Sequence, residues 1–444
     1  MPLIAHAAPE APVAYRAGEP IAAARFLADV ERLAGRFPAG RHVLNVCADR
    51  YHFMVGFAAA VRSGRPSLLP PTHTPEVVRH LRAFAPDAFC LTDEADCDIE
   101  LPQLRYPASA EPPGGRWPAP RIEADTVAAF VFTSGSTGVP VPHRKRWGRL
   151  VQCVREAADR LGLAERAHAV LATVPPQHMY GFESSVLLPM HTGGALCAER
   201  PFYPADLCAA IESIPRPRTL IGTPIHLRAL LACGLELPRT DLVVSATAPL
   251  SAELAREAEL RFQAPLIEIY GSTESGQLAT RRTALEVEWR LWPEITLALE
   301  HGRAWVCGAH LEQPTELGDR IEPLEAGRFR LHGRLADQVN IAGKRSSLAY
   351  LTCQLNSIEG VLDGVFFLPA ESHPDALGVT RLAAAVVAPG LAAGQILEAL
   401  RRRIDPVFLP RPLLRLERLP RNSTGKLPQQ ALRALLEAPS RRSP

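Results

Sequence analysis

The stretch Val127-Ala-Ala-Phe-Val-Phe-Thr-Ser-Gly-Ser-Thr-Gly138 decides the fold class, because it joins an apolar run to a loop of small residues. The run from Val127 to Phe132 has the composition of a buried β-strand. The loop from Thr133 to Gly138 contains two glycines and four hydroxyl-bearing residues, so backbone N–H groups and hydroxyls can close around a phosphate. It lacks the Gly-Lys-Ser/Thr of a Walker A motif, which disfavours a P-loop NTPase. The alternative interpretation is a flexible polar loop.

Further apolar runs follow, and helical patterns separate them. The clearest helical pattern is Ser-Ala-Glu-Leu-Ala-Arg-Glu-Ala-Glu-Leu-Arg-Phe (251–262), in which Ser251 can cap and Leu254, Ala258 and Phe262 share a face. Strands that alternate with helices predict parallel βαβ units, so the fold class is α/β. Ligands bind such sheets at the carboxyl ends of the strands, so the loops after Phe132, Val174, Ser245 and Ile269 are candidate site loops.

A second architecture is predicted from about residue 300. Arg303 to Cys307 and Arg328 to His332 alternate like half-buried antiparallel strands. The Pro- and Gly-rich segment 107–121 is predicted to be a surface connection.

Composition excludes several classes of protein. The 444 residues are 47% hydrophobic and 22% charged with a net charge of +2, which is typical of a globular protein and gives no overall field for nucleic acid. No apolar run has the roughly 18 residues of a membrane helix, and no signal peptide is recognisable, so we expect a cytoplasmic protein. Nine cysteines without a Cys-x-x-Cys pair indicate neither a disulfide framework nor a zinc site.

Three further motifs could carry chemistry. In Tyr270-Gly-Ser-Thr-Glu274 an aromatic ring could stack on a base and a carboxylate could hold Mg²⁺. Asp319 follows a glycine and Arg334 follows another, and together they could hold a ribose. Lys426 ends a glycine-containing loop and could stabilise a transferring phosphoryl group. Taken alone, each motif is more often a turn or a solvated loop.

Together, in this order, the four motifs resemble the adenylate-forming enzymes, which include acyl-CoA synthetases, adenylation domains and luciferases. Supporting matches are Thr223 to Arg228, Val244 to Leu250 and Gly333 to Arg345. The resemblance implies a large AMP-binding domain over residues 1–336, built of parallel-sheet βαβ subdomains and a small β-barrel-like subdomain. It also implies a smaller mobile α+β domain over residues 337–444.

The resemblance also implies roles for individual residues. It assigns Lys426, Thr273 and Glu274 to catalysis, with Glu274 also on Mg²⁺. The implied hinge is Ala336 with Asp337. The residues implied to bind ATP are Thr133, Ser134, Gly135, Ser136, Thr137, Gly138, Ser245, Ala246, Thr247, Ala248, Tyr270, Gly271, Asp319 and Arg334.

The chain also departs from the family pattern. Val141 stands where the family usually has a lysine after the phosphate loop, and positive charge lies further on, in Pro142-His-Arg-Lys-Arg-Trp-Gly148. Ala336 stands at the usual hinge position, with Asp337 next to it. Only about 125 residues precede the phosphate loop, which is fewer than the family usually has.

The substrate is expected to be a carboxylic acid, and an aryl acid such as a hydroxybenzoate is favoured. The implied pocket residues are His178, Tyr180, Gly181 and Phe182, whose rings could wall a flat substrate. The chain is similar to stand-alone ligases of aryl-polyene and xanthomonadin-type pigment pathways, which load an acyl carrier protein. The segment from Leu400 has 11 basic and three acidic residues, which suits either a carrier protein or CoA as thiol acceptor. A medium-chain or fatty acyl-CoA ligase and a catalytically silent AMP-binding homologue remain alternatives.

Overall fold

The computed structural model describes residues 1–107, 117–134, 140–164, 166–334, 338–341, 344–369, 382–422 and 427–437. The chain divides into two compact units. The first comprises Met1–Ala246, Ala252–Thr296 and Cys307–Thr315, and the second comprises Thr247–Ser251, Leu297–Val306 and Glu316–Pro444.

The first unit alternates strands and helices along the chain. Its elements in order are β1 (Pro12–Arg16), β2 (Glu19–Ala22), α1 (Ala23–Ala34), β3 (His42–Asn45), α2 (Arg50–Arg62), β4 (Ser67–Leu69), α3 (Pro75–Phe84), β5 (Ala88–Thr92), β6 (Gln103–Arg105), β7 (Val127–Ser134), β8 (Pro140–Arg146), α4 (Trp147–Leu161), β9 (Ala169–Ala172), α5 (Met179–Gly181), a π-helix (Phe182–Leu187), α6 (Leu188–Thr192), β10 (Ala195–Cys197), α7 (Pro204–Ser213), β11 (Arg218–Gly222), α8 (Pro224–Ala232), β12 (Leu242–Ser245), α9 (Ala252–Phe262), β13 (Leu266–Ser272), β14 (Gly276–Arg281) and β15 (Trp289–Leu291).

These strands form two sheets that are mainly parallel. The six-stranded sheet has the order β6-β5-β3-β4-β7-β8, and only β7 with β8 is antiparallel. The second sheet includes the order β15-β14-β13-β12-β11-β9-β10-β1-β2, in which the run from β13 to β1 is parallel. Parallel strands need crossover helices, and helices buried against the sheets supply them.

The first unit is built around an apolar core, and its helix α2 begins at a side-chain cap. Asp49 caps α2 by accepting a hydrogen bond from the backbone N–H of His52 at 2.8 Å. In the core, Phe57 packs edge-on against Phe182, with ring centroids 4.8 Å apart. Arg50 is completely buried, and its guanidinium donates to the carbonyls of Ala172 and Val174 at 2.8 and 2.6 Å.

The second unit has shorter elements and smaller sheets. They are β16 (Thr296–Glu300), β17 (Arg303–Cys307), β18 (Thr315–Leu317), β19 (Asp319–Pro323), β20 (Arg328–Arg334), β21 (Gln338–Ile341), β22 (Lys344–Ser347), α10 (Leu348–Asn356), β23 (Asp363–Phe367), β24 (Ala383–Val387), α11 (Ala393–Arg401), a 3₁₀ turn (Pro406–Phe408), β25 (Leu413–Arg415) and α12 (Gln429–Glu437). Strands β16 to β18 form one sheet, β21 with β22 another, and β23 to β25 a third.

The predicted fold class is confirmed, and so are the strands at 303–307 and 328–332. One detail of the predicted helix differs, since α9 buries Ala255 with Ala258 and Phe262, whereas Leu254 is half-buried. The boundary at residue 336 lies outside the described residues and stays a prediction. Across the described ranges, no helix has the length and apolar composition needed to cross a membrane.

Candidate functional site

Polar residues line the carboxyl edge of the parallel strands in the first unit. Thr173 follows β9 and Thr223 follows β11, and their hydroxyl oxygens lie 2.9 and 2.8 Å from Nδ1 of His226. Burial lowers the pKa of His226 to about 4, so the ring is neutral near pH 7. Polar side chains therefore occupy the edge at which α/β sheets bind ligands.

The predicted adenine-side loop begins at this same edge. Ser245 ends β12 and is completely buried, and its hydroxyl has no hydrogen-bond partner within the described parts of the chain. Ala246 is also buried. Thr247 has a φ of 80°, which is strained for a β-branched residue, and Ala248 follows it in a bend. An orphaned buried hydroxyl beside a strained backbone is typical of a ligand-binding loop.

The Tyr270 to Glu274 motif covers the end of β13 and the turn that leads to β14. Tyr270 lies on β13, and its ring centroid is 5.6 Å from that of Trp289. A bulge follows at Gly271, where a Cβ would lie 2.2 Å from the carbonyl oxygen of Gly276, so only glycine fits. Ser272 and Ser275 hold the turn by reciprocal contacts of 3.1 Å between hydroxyl and backbone N–H. The turn presents Thr273 and Glu274 at its tip.

The phosphate loop is predicted to join β7 and β8, and these strands form an antiparallel hairpin. The register pairs Ser134 with Pro140 and Thr133 with Val141. Gly135, Ser136, Thr137 and Gly138 lie outside the described residues, as does the side chain of Ser134.

His143 brings the phosphate-loop hairpin and the Glu274 turn together. Its Nε2 lies 2.9 Å from Thr133 Oγ1 and 3.5 Å from Glu274 Oε1. Nζ of Lys145, two residues further along β8, donates to the backbone carbonyl of Glu274 at 3.2 Å. Two motifs that lie about 140 residues apart in the sequence are thus in contact through one strand.

The electrostatics of this contact favour an ionised Glu274. Burial by itself raises the pKa of the Glu274 carboxyl, but its own backbone N–H, the Ser272 hydroxyl, His143 and Lys145 lower it overall. Burial lowers the pKa of His143, against the opposing effect of Glu274. A charged carboxylate with a half-exposed side chain is therefore available to a ligand.

A buried polar cluster, which the sequence did not predict, lies near this contact. Glu183 lies on the π-helix with 2% of its surface exposed, and Cys153 Sγ is 3.2 Å from its Oε1. Burial raises the pKa of Glu183, and the nearby Lys145 charge partly offsets that effect. A π-helix is rare and is often found near functional sites, but nothing in the apolar pattern of residues 182–187 indicates one.

The predicted substrate-pocket residues lie at the start of α5 and the π-helix. His178 immediately precedes α5 and is half-buried. The hydroxyl of Tyr180 donates to the carbonyl of Val244 at 3.1 Å, next to Ser245. At Gly181 a Cβ would lie 2.1 Å from the carbonyl oxygen of Pro175, so no larger residue fits. Phe182 is completely buried in the core, and its role as a pocket wall stays a prediction.

The second unit carries the predicted ribose pair. Asp319 at the start of β19 is directly opposite Arg334 at the end of β20 in the antiparallel register. The Arg334 side chain lies outside the described residues, and so do Ala336, Asp337 and Lys426. The backbone register nevertheless brings together two residues that the sequence analysis paired.

Comparisons with known proteins identify the family of the chain. Residues 4–317 match the AMP-binding enzyme family. A 4-coumarate–CoA ligase from Halorhodospira halophila is 30% identical over 66% of this chain and 73% of its own length. A 4-hydroxybenzoate–CoA/benzoate–CoA ligase from Rhodopseudomonas palustris is 26% identical over 88% of this chain and 83% of its own length. The crystal structure of ATP-bound MatB from Rhodopseudomonas palustris superposes with a TM-score of 0.80 at 18% identity over 99% of both chains.

The fold and the family match lead to one conclusion. The chain belongs to the AMP-binding enzyme family, and it is an acid–thiol ligase of the AMP-forming type. The predicted fold class, the predicted enzyme class and the resemblance to the adenylate-forming enzymes are confirmed.

Proposed function

We propose that this enzyme uses ATP to activate an aromatic carboxylic acid as an acyl-adenylate and then transfers the acyl group to the thiol of CoA. The observation that carries the proposal is the contact of Thr133, His143 and Glu274, which joins the phosphate-loop strand to the carboxylate turn. The substrates in the names of two relatives, 4-coumarate and 4-hydroxybenzoate, support an aryl acid. We favour a hydroxybenzoate because Tyr180 lies beside the end of β12, where flat substrates could be held.

The donor set near Thr133 suits Mg²⁺ bound with ATP. Mg²⁺ prefers oxygen ligands and usually takes one or two carboxylates together with substrate phosphates. Glu274 offers an ionised carboxylate and Thr133 a hydroxyl 2.9 Å from the same imidazole nitrogen. When bound, Mg²⁺ would neutralise part of the charge on the phosphate groups.

The remaining roles follow from the charges that must meet in adenylation. The attacking carboxylate and the α-phosphate are both anions, so positioned cations and N–H donors must offset their repulsion. We assign Lys426 to this interaction in the first half-reaction and Asp319 with Arg334 to the ribose. Tyr270 would stack on the adenine beside Ser245 to Ala248, and Thr273 would contact a phosphate.

An acyl carrier protein is a second candidate for the acceptor. Arg411, Arg415 and Arg418 are exposed on the second unit, and no ion pair to another described residue involves them. Such a basic surface favours an acidic carrier protein by steering. The CoA-ligase relatives favour CoA, so we place the carrier protein second.

Carboxylate-dependent ATP/pyrophosphate exchange tests the proposal, because exchange reports adenylation whatever the acceptor is. We expect exchange with 3- or 4-hydroxybenzoate or a cinnamate, and not with medium-chain fatty acids. Lys426→Ala should lower it ~10²- to 10³-fold, since it removes a charge that acts mainly in the transition state. Its circular dichroism spectrum should match that of the wild type.

Other outcomes would contradict the proposal in distinct ways. Exchange with fatty acids alone would favour a fatty acyl-CoA ligase. AMP binding without exchange for any acid would favour a catalytically silent homologue. Thioester formation with CoA against that with a phosphopantetheinylated carrier protein would then decide the acceptor.

A further inference from the structure

Strand β8 presents two different faces to its surroundings. Arg144 and Arg146 both reach Glu312, at 3.2 Å, on one side. His143 and Lys145 reach the Glu274 turn on the other. Alternation along a strand explains the separation, since successive side chains point to opposite faces. His143 and Lys145 on one face of β8 therefore contact the Glu274 turn, whereas Arg144 and Arg146 on the other face contact Glu312 and can serve as controls.

Strand pairing places His143 next to Thr133. Pairing of β7 with β8 sets Val131 opposite His143, so Thr133 on β7 is held within 2.9 Å of the ring. The same ring nitrogen faces the Glu274 carboxylate, and the turn that carries Glu274 is held by its serine pair and by Nζ of Lys145. His143 thus joins a strand whose position is set by sheet pairing to a turn that its own serines help to hold.

Lys145 contacts the turn from the same face of β8 as His143. Its Nζ donates to the backbone carbonyl of Glu274 at 3.2 Å, whereas His143 faces the carboxylate of that residue. Lys145 therefore contacts the backbone of the turn, and His143 contacts the side chain.

We infer that His143 is a positioning residue that sets the Glu274 carboxylate relative to the Thr133 hydroxyl for the cation carried with ATP. The inference rests on the proposed function. Val141 precedes His143 on the same face and has no charge or hydrogen-bonding group, so His143 is the first polar side chain of β8 on that face. Loss of the imidazole removes the contact that relates the carboxylate to the Thr133 hydroxyl, whereas the Ser272 hydroxyl and the backbone N–H of Glu274 still hold the carboxylate to its own turn.

Three variants test this role by steady-state exchange. His143→Ala is expected to raise the KM for MgATP by ~10-fold or more and to leave the KM for the acid within about twofold, as for other groups that orient a metal ligand. His143→Gln, whose Nε2 can reach the same two oxygens, should recover most of that loss. Arg144→Ala, on the opposite face, is the matched control and should keep the wild-type KM for MgATP.

A binding measurement keeps the inference testable if no acid supports exchange. Thermal unfolding is followed with ATP plus Mg²⁺, with ATP plus EDTA, and with AMP. The wild type and Arg144→Ala should gain a Mg²⁺-dependent rise in Tm, whereas His143→Ala should lose that rise and keep the rise with AMP.

The two proposals can therefore fail separately. A wild type with the Mg²⁺-dependent rise but without exchange would overturn the proposed function and leave the role of His143 standing. Equal Mg²⁺-dependent rises in wild type and His143→Ala would overturn the positioning role, and so would a glutamine variant no better than alanine.

Discussion

At the residue scale, His191 shows how burial and nearby positive charges keep an imidazole neutral. It lies in α6, and neither ring nitrogen has a hydrogen-bond partner in the described part of the chain. Its ring meets Trp147 edge-on, with centroids 5.1 Å apart. Burial lowers the pKa of His191 to about 3, and the positive charges of Arg155, His6 and the amino terminus add to the shift. The ring therefore acts as an apolar core residue at neutral pH.

This shift predicts a pH dependence of stability. The unfolded chain takes up a proton at His191 near pH 6.5, whereas the folded chain does so only near pH 3. The contribution of the neutral ring to the free energy of unfolding is therefore fully present above pH 6.5 and is lost as the pH falls towards 3. Between pH 6.5 and pH 3, His191 lowers the free energy of unfolding by at most about 1.4 kcal/mol for each pH unit of the fall. His191→Leu should flatten the fall in urea-unfolding free energy between pH 6.5 and pH 5. Equal slopes for variant and wild type would contradict the assignment.

At the scale of elements, the β13–β14 hairpin depends on a second glycine. Gly276 begins β14 at a φ of 70°. A Cβ there would lie 3.0 Å from Glu183 Oε1 and 3.3 Å from both Cys153 Sγ and His310 Nε2. The left-handed backbone and the buried cluster therefore both select glycine next to the Glu274 turn.

Gly276→Ala is expected to destabilise the protein more than a left-handed alanine alone would. Gly162→Ala is the matched control, because Gly162 has a φ of 68° with nothing within 4 Å of its Cβ position. The control should cost about 1 to 2 kcal/mol, and Gly276→Ala about 1 to 3 kcal/mol more. Urea unfolding measures both. A difference near zero would mean that Glu183 and its neighbours relax freely.

The elements also show what the sequence could and could not predict. The strand before Thr133 and the turn at Tyr270 to Glu274 were predictable, because apolar runs and small polar turns are local patterns. The contact of His143 with both Thr133 and Glu274 was not predictable, because it depends on how β8 lies against a turn about 130 residues further along the chain. For the same reason Glu183 resembled an ordinary polar residue in an apolar segment.

At the scale of the whole molecule, the chain comprises two compact units. Its two half-reactions need different groups at one adenylate, since Lys426 serves only the first in our proposal. Enzymes that use one site for two steps commonly move a domain between them, and a few residues absorb the change in φ and ψ. Residues Ala336 and Asp337 are the predicted hinge.

Ala336→Pro tests that hinge, because proline fixes φ near −65°. If the small domain rotates between half-reactions, thioester formation should slow by roughly 10-fold or more while ATP/pyrophosphate exchange falls by less than about 3-fold. Ala336→Gly is the control, because it frees the same backbone position. Wild-type rates for both half-reactions in the proline variant would show that the hinge lies elsewhere.

The strand β2, described above as one end of the sheet in the first unit, bears on how copies of the protein meet in a crowded solution. Its four residues include exposed Glu19 and Pro20, and Pro20 has no backbone N–H to donate. An approaching strand would meet a short edge with a missing donor and a charge. Edge-to-edge pairing of strands from two copies, which would lead to fibres, is therefore disfavoured at this edge.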